Sequence, residues 1–279
     1  MCDLTVIILT FNEEKNIVQA IDSIKSIAKR IVVVDSFSTD NTVSIAKELG
    51  AEVFVNEFYN QAQQFTWALD NIDVDTKWVL RLDADERLTY SSSKEIADII
   101  VKNENTDVNG AIVRFNVRFL GKDLRHGGIY PIKVLRLFKY GKVHIEDRNM
   151  DEHMVLNEGK CIELKNDSIH QDFKSLSAWI DKHNKYSSRE MLDYFDNAVD
   201  SHQTLCGVAK IKRFIKTKIY YKLPMGFRAW LYYVYRYYFR LGFLDGREGK
   251  IFCFLQAYWY RFLVDAKIYE SKLETEESE

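Results

Sequence analysis

Asp83-Ala84-Asp85 places two carboxylates one residue apart, directly after the apolar run Trp78-Val79-Leu80-Arg81-Leu82. A hard divalent cation takes oxygen ligands, commonly one or two carboxylates with substrate phosphates completing the shell. Such a pair could hold Mn2+ or Mg2+ against a departing diphosphate and stabilise the charge that develops there. Alone, an Asp-x-Asp pair also describes a solvated turn; its place at the end of a buried strand favours the metal. Two more polar clusters follow apolar runs in the same way: Thr10-Phe11-Asn12-Glu13 and Asp35-Ser36. Asp35 could instead close a local turn, since Asp readily bonds its own backbone. Asp40 is better explained as a helix cap. Asp151 and Glu152 offer carboxylates for proton transfer, in a charged stretch that otherwise reads as a solvated loop. His170 offers an imidazole ligand, although a lone His is more often structural. His126 could touch a substrate, and Arg125 and Arg136 could meet phosphate, but for both arginines solvation at a strand edge is the plainer role. Trp179, His183 and Tyr186 fall on one helical face, where packing is the default.

The elements that must position these residues alternate strand and helix. Residues 4–9, 31–34, 51–55 and 78–82 are apolar runs typical of strands buried on both faces. Between them, Asn12 is predicted to cap a helix carrying Ile17, Ala20, Ile21, Ile24 and Ile27. Asp40 or Asn41 caps another that ends at Gly50, and 61–69 is a third. Strands separated by helices imply a parallel sheet covered on both sides, with ligands beyond the carboxyl ends of the strands. All three polar clusters fall there. From about residue 110 the pattern changes to an alternating strand, then a strand at 133–139. From about 175 the chain reads as helical.

A chain of 279 residues fits one large domain, or a catalytic domain with an appendage. Its net charge of −2 argues against a nucleic-acid partner for the chain as a whole. The four cysteines stand far apart, with no Cys-x-x-Cys pair, so reduced cytosolic thiols are expected rather than a zinc site or disulfides. The first residues carry no secretory signal. No run reaches the roughly 18 apolar residues of a spanning helix. The expected location is cytoplasmic, soluble or peripheral on the membrane's inner face. The C-terminal part is unusual. Nearly half of the chain's 17 Phe, 5 Trp and 16 Tyr lie between residues 214 and 262. Residues 205–272 hold fourteen Lys or Arg against four Asp or Glu. Plain packing, nucleic-acid stacking and an anionic membrane surface all suit such a composition. No nucleic-acid motif occurs, so the membrane, mixed with packing, is preferred. The tail 274–279 is expected to be disordered.

Thr10-Phe11-Asn12-Glu13-Glu14, the run from Val33 to Thr42 and Leu82-Asp83-Ala84-Asp85-Glu86 together resemble family 2 glycosyltransferases of the GT-A fold. Gly127-Gly128-Ile129-Tyr130-Pro131, Leu135-Arg136-Leu137-Phe138, Asp151-Glu152-His153 and the segment from Gly242 to Gly249 extend the likeness. The whole pattern is similar to bacterial lipopolysaccharide-core β-1,4-glucosyltransferases. The resemblance implies an α/β fold: a GT-A nucleotide-binding mixed sheet flanked by helices, followed by a helical aromatic and basic C-terminal region. Its boundaries would be 1–200 for the GT-A domain and 201–273 for the helical region. It implies an inverting, metal-dependent hexosyltransferase that uses a UDP-sugar, Mn2+ or Mg2+, and a glycan or glycolipid acceptor. Thr10, Asn12 and Glu13 would lie by the nucleobase and ribose. Asp35 would accept from the uracil imide, and Asp83 would approach the ribose. Asp85 would ligate the metal, with His170 as a further ligand. Glu152 would be the general base. The subgroup has His before that carboxylate where this chain has Asp151, so Asp151 stays a competitor.

Two other functions fit parts of this pattern. A nucleotidyltransferase also pairs a nucleotide-binding sheet with acidic metal ligands, but usually opens on a Gly-rich basic loop, unlike Thr10-Phe11-Asn12-Glu13-Glu14. A catalytically inactive transferase-like binding module would not need Asp35, Asp83, Asp85 and a carboxylate at 152 all retained. The absence of Gly-x-Gly-x-x-Gly and of Gly-x-x-x-x-Gly-Lys-Ser/Thr disfavours a dinucleotide oxidoreductase and a P-loop NTPase.

Overall fold

Four apolar runs form the parallel half of a sheet. They are β1 (Leu4–Thr10), β2 (Arg30–Asp35), β3 (Glu52–Val55) and β4 (Trp78–Asp83), in the order β3-β2-β1-β4. The computed structural model describes residues 1–145, 154–199 and 223–276. Along β1, Leu4, Val6 and Ile8 join one apolar cluster while Ile7 joins another. This two-residue alternation shows that both faces are covered. The first cluster takes in α1 (Ile17–Ile24) and α4 (Tyr90–Lys102), and the second takes in α3 (Gln61–Asn71). Each fully buried Ile or Val contributes about 1.5–3 kcal/mol. The register sets Thr10 beside Asp35 and Leu9 beside Asp83, so the polar clusters end level with one another.

The helices start where local chemistry dictates, with one correction. Asn60 caps α3 by accepting from Gln63 N at 2.7 Å, and Thr89 and Ser92 form a capping box on α4. Asn12 does not cap α1. Its backbone is left-handed (φ 54), and its side chain accepts from Thr39 N at 2.8 Å, so the helix begins only at Ile17. Asp40 accepts from Thr42 N at 3.0 Å, at the start of α2 (Thr42–Glu48). Gly50, with φ 86, follows the end of α2.

Beyond β4 the sheet turns mixed. β8 (Ile132–Lys139) lies antiparallel to β4, with Leu80 opposite Leu137. β6 (Val108–Phe119) lies antiparallel to β8 and also pairs with the short β7 (Lys122–Leu124). β11 (Lys160–His170) runs parallel to β6. The two-residue β5 (Glu86–Arg87) then closes onto β11, with Glu86 opposite His170. A separate ribbon pairs β9 (Val143–Ile145) with β10 (Met154–Leu156).

The chain forms two compact units. One is Met1–Asp123 with Ile129–Lys174; the other is Leu124–Gly128 with Ser175–Glu279. The second unit is mainly helical over its described length beyond Ser175. It contains α5 (Leu176–Val199), α6 (Phe227–Val234), α7 (Gly246–Cys253) and α8 (Tyr260–Glu276). α6 and α7 each run on into π-helical turns, Tyr235–Phe239 and Phe254–Trp259. α8 carries the acidic tail's first three residues as helix, and its last three lie outside the described residues. Tyr260, Val264 and Ile268 of α8 pack on Tyr186, Met191 and Tyr194 of α5. Trp179 stacks on His183 at 3.5 Å, bearing out the single packed face read from their spacing. Cys2, Cys161 and Cys253 are free thiols. Among the described residues, no helix is long and apolar enough to cross a membrane.

Candidate functional site

The carboxyl ends of β2, β1 and β4 bring the predicted donor residues together. Asp35 is 1% exposed, and its Oδ1 accepts from Thr10 Oγ1 at 2.9 Å. Ser38 N donates to its other oxygen at 2.7 Å. The local turn first weighed as a rival reading is thus real, and Thr10 fastens it to β1. Asn12 N donates to Ser38 Oγ at 2.8 Å, tying the first loop to the second. Glu13 N donates to Thr42 Oγ1 at 2.7 Å. The Glu13 carboxylate accepts from Lys174 Nζ and from Asn16 Nδ2, both at 2.6 Å. Burial pushes Glu13 above the usual carboxylate range in spite of Lys174, and the charge of Asp85 adds to the rise.

At the end of β4 the two aspartates have different surroundings. Asp83 Oδ2 accepts from Arg136 Nη2 at 2.6 Å, and its Oδ1 lies 3.5 Å from Arg81 Nε. That Oδ1 is buried and makes no hydrogen bond. Burial opposes the Asp83 charge, but Arg136 and Arg81 prevail and hold the group below its ordinary range. Asp85 Oδ2 lies 3.8 Å from His170 Nε2. The pairing of β5 with β11 produces this approach, and Gln171 N donates to the Asp85 carbonyl at 2.8 Å.

Arg136 and Glu86 are the residues that sequence reasoning undervalued. Read as a solvated strand-edge residue, Arg136 proves to be 6% exposed on an interior strand. It donates to Glu86 Oε1 at 2.7 Å as well as to Asp83. Burial works against its charge, and the two carboxylates more than offset that, raising its affinity for the proton. Glu86 is pushed up, chiefly by burial, with Arg136 opposing. A single Arg between Leu135 and Leu137 in a buried strand was the available signal, because such a charge requires an acidic partner. Asp172 was also missed. It accepts from Asn16 Nδ2 and from Lys174 N, each at 2.9 Å, and so braces the loop that carries Lys174.

The implied divalent ion can be tested against these groups. Two cis donors on an octahedral ion, each bonded at about 2.1 Å, stand roughly 3 Å apart. Asp85 and His170, 3.8 Å apart, need only a small side-chain adjustment to share an ion. Asp83 is engaged by Arg136. Among the described residues, no group of three or more His, Cys, Asp or Glu side chains is arranged to hold a metal. Diphosphate and water oxygens would therefore complete the shell. The residues fit an ion held by two protein donors.

Not every candidate joins this cluster. Asp151 and Glu152 lie outside the described residues, in the segment between β9 and β10. His126 belongs to the second unit, where its Nδ1 lies 2.7 Å from Asp245 Oδ1. Arg125 N and His126 N also donate to Asp245, at 3.0 and 2.8 Å.

Comparison with known proteins gives a consistent result. The sequence model of glycosyl transferase family 2 matches residues 5–152. A glycosyltransferase of Rickettsia typhi is 31% identical over 202 residues, which cover 69% of this chain and 68% of that one. One of Rickettsia felis is 28% identical over 286 residues, covering 98% and 91%. Among solved structures, glucosyl-3-phosphoglycerate synthase of Mycobacterium tuberculosis, crystallised with Mn2+, UDP and glucosyl-3-phosphoglycerate, is 20% identical with a TM-score of 0.35. That overlap covers 42% of this chain and 44% of that one, so the chain spans less than half of the enzyme's length. So partial a superposition says nothing about activity.

Proposed function

Because the chain belongs to glycosyl transferase family 2, we propose that it is an inverting, metal-dependent hexosyltransferase using a UDP-sugar. The acceptor is a lipid-linked or oligosaccharide glycan of bacterial lipopolysaccharide or surface polysaccharide. The enzyme works in the cytoplasm, at the membrane's inner face. One observation carries the reading: Thr10, Asp35 and Asp83 end level on three adjacent parallel strands, where an open α/β sheet receives its ligand.

Each residue then has a task. Asp35, fixed by Thr10 and Ser38, accepts a hydrogen bond from the uracil imide. Thr10, Asn12 and Glu13 form the wall around base and ribose. Asp83 offers the ribose its buried oxygen that lacks a hydrogen bond. Asp85 and His170 hold the divalent ion. When bound, Mn2+ or Mg2+ supplies positive charge to the departing diphosphate. Glu152, or Asp151 beside it, takes the proton from the acceptor hydroxyl. The new bond forms at the anomeric carbon as the bond to the diphosphate oxygen breaks.

UDP titration by calorimetry, with and without Mn2+, tests the donor half. Binding should tighten with metal, and Asp85→Ala should remove that dependence. Metal-independent UDP binding by the native protein would sink the role given to Asp85. Glu152→Ala should abolish transfer while sparing UDP binding; if Asp151→Ala does so instead, the base is the neighbouring residue.

A further inference from the structure

The second unit exposes apolar side chains where a water-facing surface is ordinarily polar. Phe227, Trp230, Leu231, Tyr235 and Tyr238 recur at helical spacing along α6 and the π-helical turns that follow it, and all five are exposed. Arg228 and Arg236 of the same stretch are both buried. At the end of the stripe Phe239 is 75% exposed.

Leu241 follows, and its backbone is left-handed at φ 58. For a residue with a branched side chain this conformation costs roughly 1–2 kcal/mol. The turn cannot relax inward, because Gly242 is pressed into the unit. A Cβ there would meet Cys253 Sγ at 2.8 Å and the Arg236 carbonyl at 3.0 Å. Leu241, Phe243 and Leu244 are thereby held outward, and all three are exposed. A contiguous apolar surface of this kind on a soluble protein marks a contact site.

Charge identifies the occupant. Arg240, Arg247 and Lys250 are exposed on the same stretch. Of the two acids there, Asp245 is buried against Arg125 and His126, and Glu248 is half-buried. A second copy of the chain in a two-fold contact would bring both copies' cations into one contact with few acids to offset them. A bilayer of anionic phospholipid would pair them with headgroups and seat Trp and Tyr at the interface.

We infer that the surface from Phe227 to Leu244, flanked by Arg240, Arg247 and Lys250, is where the protein sits on an anionic phospholipid bilayer. Phe239, Leu241 and Leu244 enter the acyl boundary. The inference rests on the lipid-linked acceptor reading for its purpose, but not for its geometry.

Flotation of the full chain with vesicles tests it. The protein should rise with phosphatidylglycerol-containing vesicles and stay behind with pure phosphatidylcholine. The triple change Phe239→Ser, Leu241→Asn, Leu244→Ser should weaken binding at least about tenfold. The pair Arg240→Glu, Arg247→Glu should do so too, with diminished response to added NaCl. Circular dichroism and melting temperature should stay native in both variants, which certifies their fold, and UDP binding should be unchanged. Failure of the native protein to float overturns the inference, as does a solution dimer that the triple change dissociates, which would assign the surface to a second copy. Flotation without UDP binding would instead sink the donor reading and leave the surface standing.

Discussion

Two buried arginines, one in each unit, have been given different surroundings. In the second unit Arg228 forms a bidentate pair with Asp265, one of its bonds being 2.7 Å, and both residues are almost fully buried. This pair is closed. In the first unit Arg136 faces two carboxylates, yet its own Nε and Asp83 Oδ1 are buried without hydrogen bonds. Desolvated polar atoms without partners cost about 1–3 kcal/mol each. Under the proposed function, the donor nucleotide would complete the open one. The contrast is one of hydrogen-bond completion, which residue types alone do not reveal.

The comparison can be broken most severely at Arg136. Arg136→Met leaves Asp83 and Glu86 buried beside no cation. It should cost roughly 3–5 kcal/mol of stability and abolish UDP binding, as urea denaturation and calorimetry would read. Arg228→Met should cost about 3 kcal/mol, because one carboxylate is stranded rather than two. Adding Asp265→Leu should recover most of that loss with transfer activity intact, since a closed structural pair can be replaced by apolar packing. A double variant that folds but cannot transfer would show that the closed pair also serves the site.

Smaller changes sharpen the contrast. Asp83→Asn keeps an acceptor for Arg136 but can replace the oxygen that lacks a hydrogen bond with a donor. UDP affinity should fall about tenfold, roughly 1.4 kcal/mol, with metal dependence unchanged. Loss of metal dependence in this variant would move Asp83 into the ion's shell.

The smallest effect is a matter of pH. Burial pulls His183 down to about 4 from an ordinary 6.5. Between those values the unfolded chain binds a proton that the folded chain refuses, so stability should rise with pH through this window and fall on acidification. His183→Leu should flatten the slope of melting temperature against pH between 4 and 6.5. An unchanged slope would mean that other groups carry it.

Much of the parallel half was legible because each strand is a continuous apolar run ending in a polar cluster. Periodicity and position there point to the same answer. The placement of Asp35 and Asp83 at strand ends, with Asp85 just beyond, was legible for that reason. Arg136 was misjudged because its partners lie 50 and 53 positions away, and no local pattern records a contact at that distance. Asn12 has the residue type of a cap; its left-handed backbone and bond to Thr39 follow from the second loop, which the first loop's sequence does not contain. The approach of His170 to Asp85 depends on a strand of only two residues, too short for any periodicity to reveal.

The long reach of Arg136 also bears on the order of assembly. β4 ends in Asp83, and Glu86 follows three residues later, so the parallel half carries two acids meant for the interior well before their cation is synthesised. Joining ends some 50 residues apart adds only modest entropy beyond a shorter loop, while burying either carboxylate alone is far more expensive. The edge of β4 is therefore expected to stay solvated until β8 arrives to pair with it. A nascent chain ending before residue 136 would hold an incomplete sheet, and docking of β8 would be the event that commits the first unit to its fold.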